Sequence, residues 1–307
     1  MTGQNGSEKK QKGLRRVWSQ HRDDYLFMAP YLILFFIFTI IPVMVSIGLS
    51  FTYFNVLELP RFTGLQNYFR LLLDDDIFVL ALKNTLLLSV ITGPVSFFLC
   101  LFLAWLVNEF SSKTRALLTL LFYTPTMAGS AYLIWQIIYS GDSYGFLNGL
   151  LMKFNVIYEP IQWLQDPDYM LPSAVVVILW MSLGTSFLAF IAGFQNVDPA
   201  LYEAGAVDGV KNRWQELWFI TLPSMLPQLM FGAVMSITAS FGIGDVINGL
   251  FGFPSTNYVL HTMVHHLQDY GNIRFEMGYA SAIATILFLL MVVTNRFVQR
   301  LLKKVGV

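Results

Sequence analysis

The sequence predicts an all-α, polytopic membrane protein with six transmembrane helices and both termini in the cytoplasm. Hydrophobic residues make up 55% of the 307 positions and charged residues only 12%, about half the charged share of a soluble domain. Six apolar runs stand at about 26–52, 85–107, 116–139, 172–194, 224–248 and 277–295, and none contains Lys or Arg. Each is near the roughly 20 residues that cross a bilayer core. When successive loops are assigned to opposite sides, fourteen of the 19 basic residues fall on the side of the termini. Arg61, Arg70, Lys83, Lys153 and Arg274 fall on the other, so the positive-inside rule places the termini in the cytoplasm.

Residues 1–24 are polar and basic, and are expected to form a tail or surface helix beside anionic headgroups. A six-helix domain is expected over 25–304. The first run is too long for the core of a signal peptide and has no small-residue cleavage site after it, so it is expected to remain as an anchor. Pro30 and Pro42 lie within it, and Pro94, Pro125 and Pro172 punctuate later runs. Membrane helices tolerate such prolines where neighbours satisfy the freed carbonyls. The single cysteine, Cys100, excludes an internal disulfide and reads as a small packing residue. Small residues from Gly278 to Thr285 predict close packing of the sixth span against another helix. The net charge is zero, and no nucleic-acid partner is expected.

Between the fourth and fifth runs lies a polar stretch, part of a loop over 195–223, that is itself built like helix. Asp198-Pro199 is a helix start, because the carboxylate accepts first-turn amides and proline suits the first helical position. Leu201, Ala204 and Val207 share a face, and Asp208-Gly209 supplies a stop. Trp214, Leu217 and Trp218 then recur at helical spacing, with Lys211, Arg213 and Glu216 directed to water or to an acidic partner surface. Pro223 and Pro227 bend the chain into the next span.

Glu203-Ala204-Gly205, Asp208-Gly209 and Ile220-Thr221-Leu222-Pro223 together resemble the EAA loop of permease subunits of binding-protein-dependent ABC importers, in particular the sugar-uptake class related to maltose and glycerol-phosphate permeases. Two departures stand out. The third EAA residue is Gly205, and the gap from Gly209 to the I-T-L-P run is one residue longer than the family pattern. In the first outer loop, Phe62-Thr63-Gly64-Leu65-Gln66-Asn67-Tyr68 is similar to an F-x-G-L-x-N-Y pattern of the same class. The resemblance implies the type I importer permease fold in a bacterial or archaeal cell membrane. It also implies a second, homologous permease, two cytoplasmic ATPase subunits that bind ATP and Mg, and an extracytoplasmic solute-binding protein. Tyr202, Glu203, Ala204, Gly205, Asp208, Gly209, Leu222 and Pro223 would couple to the ATPase, with Glu203 in contact and Gly209 allowing the turn. The implied cargo is a sugar or oligosaccharide, with glycerol phosphate or another polar solute as the alternative. No G-x-x-x-x-G-K-[ST] occurs in the chain, so no cofactor is expected in it and ATP must be bound elsewhere.

Candidate pathway residues come from the fifth run. Asp245 is the one ionisable side chain placed inside a span, and Thr238, Gly242, Asp245 and Gly249 fall on one narrow helical stripe. Trp135, Trp180 and Asn248 could add aromatic platforms and hydrogen bonds for a sugar. Gly242-Ile243-Gly244-Asp245 also matches the G-x-G-D of intramembrane aspartyl proteases, but no second carboxylate falls within a span. A rhomboid-like serine protease fails because all four histidines lie outside the spans. His261, His265 and Asp269 would share a helical face with zinc-like spacing, the plainer reading being exposed histidines on a loop helix; no metal is expected. A secondary transporter would show coupling carboxylates or broken helices in both halves, and one Asp does not supply them.

Overall fold

The computed structural model describes residues 22–305; the expected basic tail therefore lies, as far as residue 21, outside the described residues. Among the described residues three helices are each long and apolar enough to cross a membrane: α1 (Asp24–Leu49), a later helix Asp76–Asn108, and the last, Met277–Lys304. Three bent pairs complete a set of up to six spans. After α1 come a two-stranded antiparallel ladder, β1 (Thr52–Tyr53) and β2 (Arg61–Phe62), and the short α2 (Gln66–Phe69). Then follow α3 (Asp76–Asn108), α4 (Ser112–Met127), α5 (Ala131–Ile138) and the outer α6 (Phe146–Lys153). The second half holds α7 (Pro167–Met181), α8 (Thr185–Gln195), α9 (Pro199–Val207), α10 (Arg213–Ser224) and α11 (Leu226–Phe241). It closes with α12 (Gly244–Phe251), α13 (Met263–Gln268) and α14 (Met277–Val305).

Helix α3 runs unbroken through Pro94 and is the axis of the bundle, packing on α7, α8, α11 and α13. Its buried face carries Thr85, Ser89, Thr92, Ser96, Cys100 and Ala104, small residues that let neighbouring helices approach. Cys100 is fully buried, as a packing residue should be. At Gly232 a Cβ would enter the ring of Phe190, which fixes the contact between α8 and α11. The small residues of α14 also pack within this chain: Gly278 abuts the Thr52 carbonyl so closely that a Cβ there would collide with it. By contrast, the apolar stretch of α1 is not buried at all, and only its C-terminal part meets α14.

The bends lie where short irregular segments interrupt apolar sequence. Pair α4/α5 turns by 89°, α7/α8 by 44° and α10/α11 by 83°. The run at 224–248, expected as one span, divides at Gly242-Ile243 into α11 and α12. That break separates Thr238 from Asp245 and dissolves the continuous stripe.

The F-x-G-L-x-N-Y segment has a structural task. Gly64 takes a left-handed backbone (φ 63°), and the Asn67 side-chain amide then donates to the carbonyls of Ser50 and Thr52, each at 2.9 Å. The Tyr68 hydroxyl meets Ser50 Oγ at 2.7 Å. These bonds satisfy carbonyls at the end of α1 that the helix itself cannot. Asn67→Ala would leave two carbonyls without donors at a cost of roughly 1–3 kcal/mol. Thermal unfolding of the purified variant in detergent is expected to show a lower midpoint, and an unchanged midpoint would remove the task assigned to this motif.

Candidate functional site

The Asp198 carboxylate accepts from the Ala200 amide at 2.9 Å, so α9 begins where the local sequence signal places it. It ends as clearly. Val210 N–H donates to the Gly205 carbonyl at 2.9 Å and Gly209 N–H to Ala206 at 3.4 Å, the paired bonds of a Schellman closure. Gly209 has φ +95°, with no heavy atom within 4 Å of an added Cβ. Backbone conformation, not space, is therefore what requires glycine there.

The inward face of α9 is pinned to α10. Gly205 is buried, and an added Cβ would stand 2.5 Å from Ile220 Cδ1; the glycine that departs from the EAA pattern receives the isoleucine of the I-T-L-P run. The Tyr202 hydroxyl meets Thr221 Oγ1 at 2.9 Å, and Thr221 donates to the Glu216 carbonyl. Asn212 caps α10 by accepting from Gln215 N–H, while Gln215 Oε1 accepts from Lys211 N–H at 2.7 Å. Within α10, residues Leu217–Thr221 form a π-helical turn. Such a turn holds one residue more than an α turn, and it stands where the longer gap after Gly209 meets the I-T-L-P run. Leu222 packs partly buried against the core cluster of Phe187, Phe190 and Met225, and Pro223 sits in the short helical segment Leu222–Ser224 before the bend.

Arg213 and Glu216 pair with each other at 2.8 Å, and Arg213 also reaches Glu109 at 3.5 Å, at the turn after α3. These pairs tie the loop to the bundle, because bringing α10 against the end of α3 sets opposite charges side by side, while the Arg213 side chain remains 66% exposed and Lys211 exposed, facing water as expected. The bond to Glu216, with the charge of Glu109, pushes the Arg213 pKa further up. Trp105 and Trp214 rings, 4.8 Å apart, complete the anchor.

The outward face of α9 is bare. Glu203, Ala204, Ala206 and Val207 are exposed, Val207 at 88%, and Leu201 is 44% exposed. The apolar face that Leu201, Ala204 and Val207 share is thus turned away from the protein core. Glu203 makes no hydrogen bond or ion pair with any described residue.

The pathway candidates are dispersed. Asp245, in the first turn of α12, and Thr238, on α11, are exposed. Gly242 lies at the break between those helices. Asn248 and Gly249 stay one turn from Asp245 on α12, but Asn248 donates to Gln268 Oε1 at 2.9 Å and Gly249 receives the ring of Tyr132, so both are engaged by contacts within the chain. Trp135 and Trp180 do meet, edge to face, with ring centres 5.8 Å apart. Sequence reasoning missed the hydroxyls of α3, although Thr85, Ser89, Thr92 and Ser96 recur at spacings of four, three and four.

It also missed a polar cluster centred on Asp75. One carboxylate oxygen accepts from Phe78 N–H at 2.9 Å and caps α3; the other receives the Tyr279 hydroxyl at 2.7 Å and contacts His266 Nε2 at 3.0 Å. His261 Nε2 lies 3.3 Å from His266 Nδ1, while His265 bridges Thr262 and the Gly244 carbonyl. His261, His265 and His266 are only 3%, 1% and 2% exposed, which corrects the reading of exposed loop histidines. Folding α13 into the bundle, against Asp75 and α14, is what buries them. No metal-binding group of three His, Cys, Asp or Glu forms among the described residues. Asp269 instead pairs with Arg274 at 2.7 Å.

Comparison with known proteins places this architecture. The profile of the family described as "Binding-protein-dependent transport system inner membrane component" matches residues 24–307. The probable ABC transporter permease protein YesP of Bacillus subtilis (strain 168) is 31% identical over 297 residues, covering 95% of this chain and 93% of the relative. The lactose transport system permease protein LacF of Rhizobium radiobacter is 27% identical over 279 residues, with 88% and 91% covered. A crystal structure of a bacterial ABC transporter involved in the import of the acidic polysaccharide alginate contains a chain of the same fold. Its TM-score is 0.76 at 23% identity, with 94% of this chain and 99% of that one covered. The chain belongs to the family of binding-protein-dependent transport system inner membrane components, as a multi-pass membrane protein with the permease fold of ABC importers.

Proposed function

We propose that this chain forms part of the translocation pathway of an ATP-driven importer for a sugar or oligosaccharide in a bacterial or archaeal cell membrane, and that α9 is its coupling helix. The observation that carries the reading is the contrast between the two faces of α9. One face is fixed to α10 through Gly205 and Tyr202, and the other is solvent-exposed, partly apolar and carries an unpaired Glu203. A helix clamped on one side and bare on the other is a rigid lever with an open seat.

The seat would be filled by a cytoplasmic ATPase, one of two that bind ATP and Mg. Closure of the ATPase pair would move α9, and α10, continuous with α11 through the 83° bend, would tilt the spans. A second permease would complete the pathway, and an extracytoplasmic binding protein would deliver solute. The names of the lactose permease and the alginate importer support a carbohydrate cargo.

The distribution of basic residues supports a cytoplasmic position for both termini and α9. A reporter fused after Lys304 or at Lys211 should read cytoplasm and one at Asp166 the outside; a cytoplasmic Asp166 would reverse the arrangement. The function is tested by reconstitution. The purified chain is expected to hydrolyse no ATP, whereas the complex with its second permease, ATPase pair and binding protein should hydrolyse ATP and accumulate sugar. Hydrolysis by the isolated chain would sink the assignment.

A further inference from the structure

A cavity of about 290 Å³ lies behind the coupling lever, between the end of α3, the end of α8 and the α9/α10 pair. Asn108, Glu109, Phe194, Tyr202, Arg213 and Glu216 are among the residues that line it. The two bodies it separates are held together very differently. Within the lever the contacts are short and matched in shape: Gly205 receives Ile220, the Tyr202 hydroxyl meets Thr221 Oγ1 at 2.9 Å, and Arg213 Nη1 donates to Glu216 Oε2 at 2.8 Å. Helices α9 and α10 therefore move as one piece.

Towards α3 the fit is looser. The Trp105 and Trp214 rings touch at a tilt, and Arg213 Nη2 stands 3.5 Å from Glu109 Oε2. That distance exceeds the roughly 2.7–3.2 Å of a well-formed N–H···O bond. On the same wall Asn108 Oδ1 is buried and has no hydrogen-bond partner among the described residues. The end of α3 thus offers a carboxylate just out of bonding reach and an acceptor without a donor, which is a costly arrangement for a buried oxygen. Arg213 has the donors to complete both, because a guanidinium carries five N–H groups in a planar fork.

We propose that Arg213 is a two-position coupling residue: held by Glu216 in this state, it passes to Glu109 and Asn108 Oδ1 when closure of the ATPase pair presses α10 against the end of α3 and shuts the cavity. The proposal rests on the importer reading and deepens it, because it gives the stroke of α9 a second route. The bend between α10 and α11 delivers motion to α11 first. A push on α3 reaches the whole bundle, since α3 packs on α7, α8, α11 and α13. The exchange is also close to balanced. Arg213 and both carboxylates are partly exposed, so neither ion pair adds much to stability and a modest difference in binding between the two states moves the side chain across.

The test uses the complete importer in proteoliposomes, with whichever of lactose, maltotriose or arabinotriose the wild-type complex accumulates as the probe. Glu109→Gln removes the charge that would receive Arg213, so uptake and the hydrolysis stimulated by the binding protein should fall together at least threefold. Glu216→Gln removes the charge that holds it back, so hydrolysis without the binding protein should rise at least threefold. A merely structural tie would shift both variants the same way. Arg213→Gln should resemble Glu109→Gln in uptake, and Arg213→Lys, which keeps the charge without the fork, should recover part of the loss. Closing of the cavity is read directly by spin labels at Lys113→Cys and Lys211→Cys, two exposed positions on either side of it, on the purified chain assembled with unlabelled partners. The distance between them should shorten when the complex is trapped with ATP and vanadate. Changes of the same sign in Glu109→Gln and Glu216→Gln, wild-type values in both, or an unchanged label distance would overturn the switch and leave the importer reading standing. Failure of a hydrolysing wild-type complex to take up any of the three sugars would overturn that reading and the switch with it.

Discussion

Glu203→Lys is expected to lower solute uptake by the assembled importer at least tenfold while the chain still folds and inserts. The reasoning rests on what Glu203 does not touch. It is exposed, lies outside the spans, and has no partner among the described residues. An exposed charge swap of that kind changes stability by less than about 0.5 kcal/mol. Loss of uptake would therefore have to arise across an interface. Uptake, ATP hydrolysis and retention of the ATPase subunits should be measured on one preparation. A weakly assembled complex, or one that hydrolyses ATP without moving solute, is the expected phenotype. Glu203→Gln, which keeps the shape and an acceptor oxygen, should retain part of the function. Wild-type values for Glu203→Lys in all three measurements would defeat the coupling assignment. Gly209 offers a second handle on the same lever, because a side chain at φ +95° is strained by about 1–2 kcal/mol. Gly209→Ala should loosen the end of α9, and Asn, which tolerates left-handed backbone, should restore part of it.

What could be read from the sequence was local. Asp198 and Gly209 mark the ends of α9 because a cap and a left-handed stop depend only on residues within one turn. The six apolar runs were visible because membrane helices are fixed by composition over about 20 residues. The breaks inside those runs were not. Gly242-Ile243-Gly244 interrupts a helix without introducing a charged residue, so an apolar window passes over it unmarked. The burial of the histidines was equally hidden, since His266 and Tyr279 meet Asp75 across 191 and 204 positions of sequence. Between these extremes stands the hydroxyl ladder of α3, whose helical spacing was legible, while the bonds that Thr85, Ser89, Thr92 and Ser96 donate to carbonyls of their own helix required coordinates. The EAA departures were visible as irregularities. What stands at them, Ile220 in the place of a methyl at Gly205 and a π turn ahead of Leu222, is a matter of packing between α9 and α10 and needed coordinates.

The largest loss of stability is expected at Asp75, and it carries a pH signature. Asp75→Ala removes the cap of α3 and the acceptor for Tyr279 and His266, leaving buried polar groups of α13 and α14 without a partner. A lost cap costs about 1 kcal/mol and each lost hydrogen bond to a charged group about 1.5–3 kcal/mol, so a total of roughly 4–7 kcal/mol is expected. The Asp75 pKa lies below the ordinary carboxylate value. Burial pushes it up, but the Tyr279 hydroxyl, the Phe78 amide and His266 together outweigh that. Burial pushes the His261 and His265 pKa values down to about 4, aided at His261 by its neighbouring histidines. His266 is also lowered by burial, against the pull of Asp75. A neutral His266 therefore donates Nε2–H to the carboxylate and accepts from His261 through Nδ1. Because the unfolded chain binds protons at His from about pH 6.5 and the folded chain only near 4, stability should fall as pH drops through that window. The Asp75 contribution, present above its ordinary value near 3.8, should be lost on further acidification. Thermal unfolding in detergent between pH 7.5 and 4.5 should show a falling midpoint in the wild type. His261→Gln and His265→Gln, which cannot titrate in this range, should each flatten the slope even if the variant melts lower at neutral pH. A wild-type midpoint that stays level to pH 4.5 would mean that these imidazoles are not held neutral by the fold.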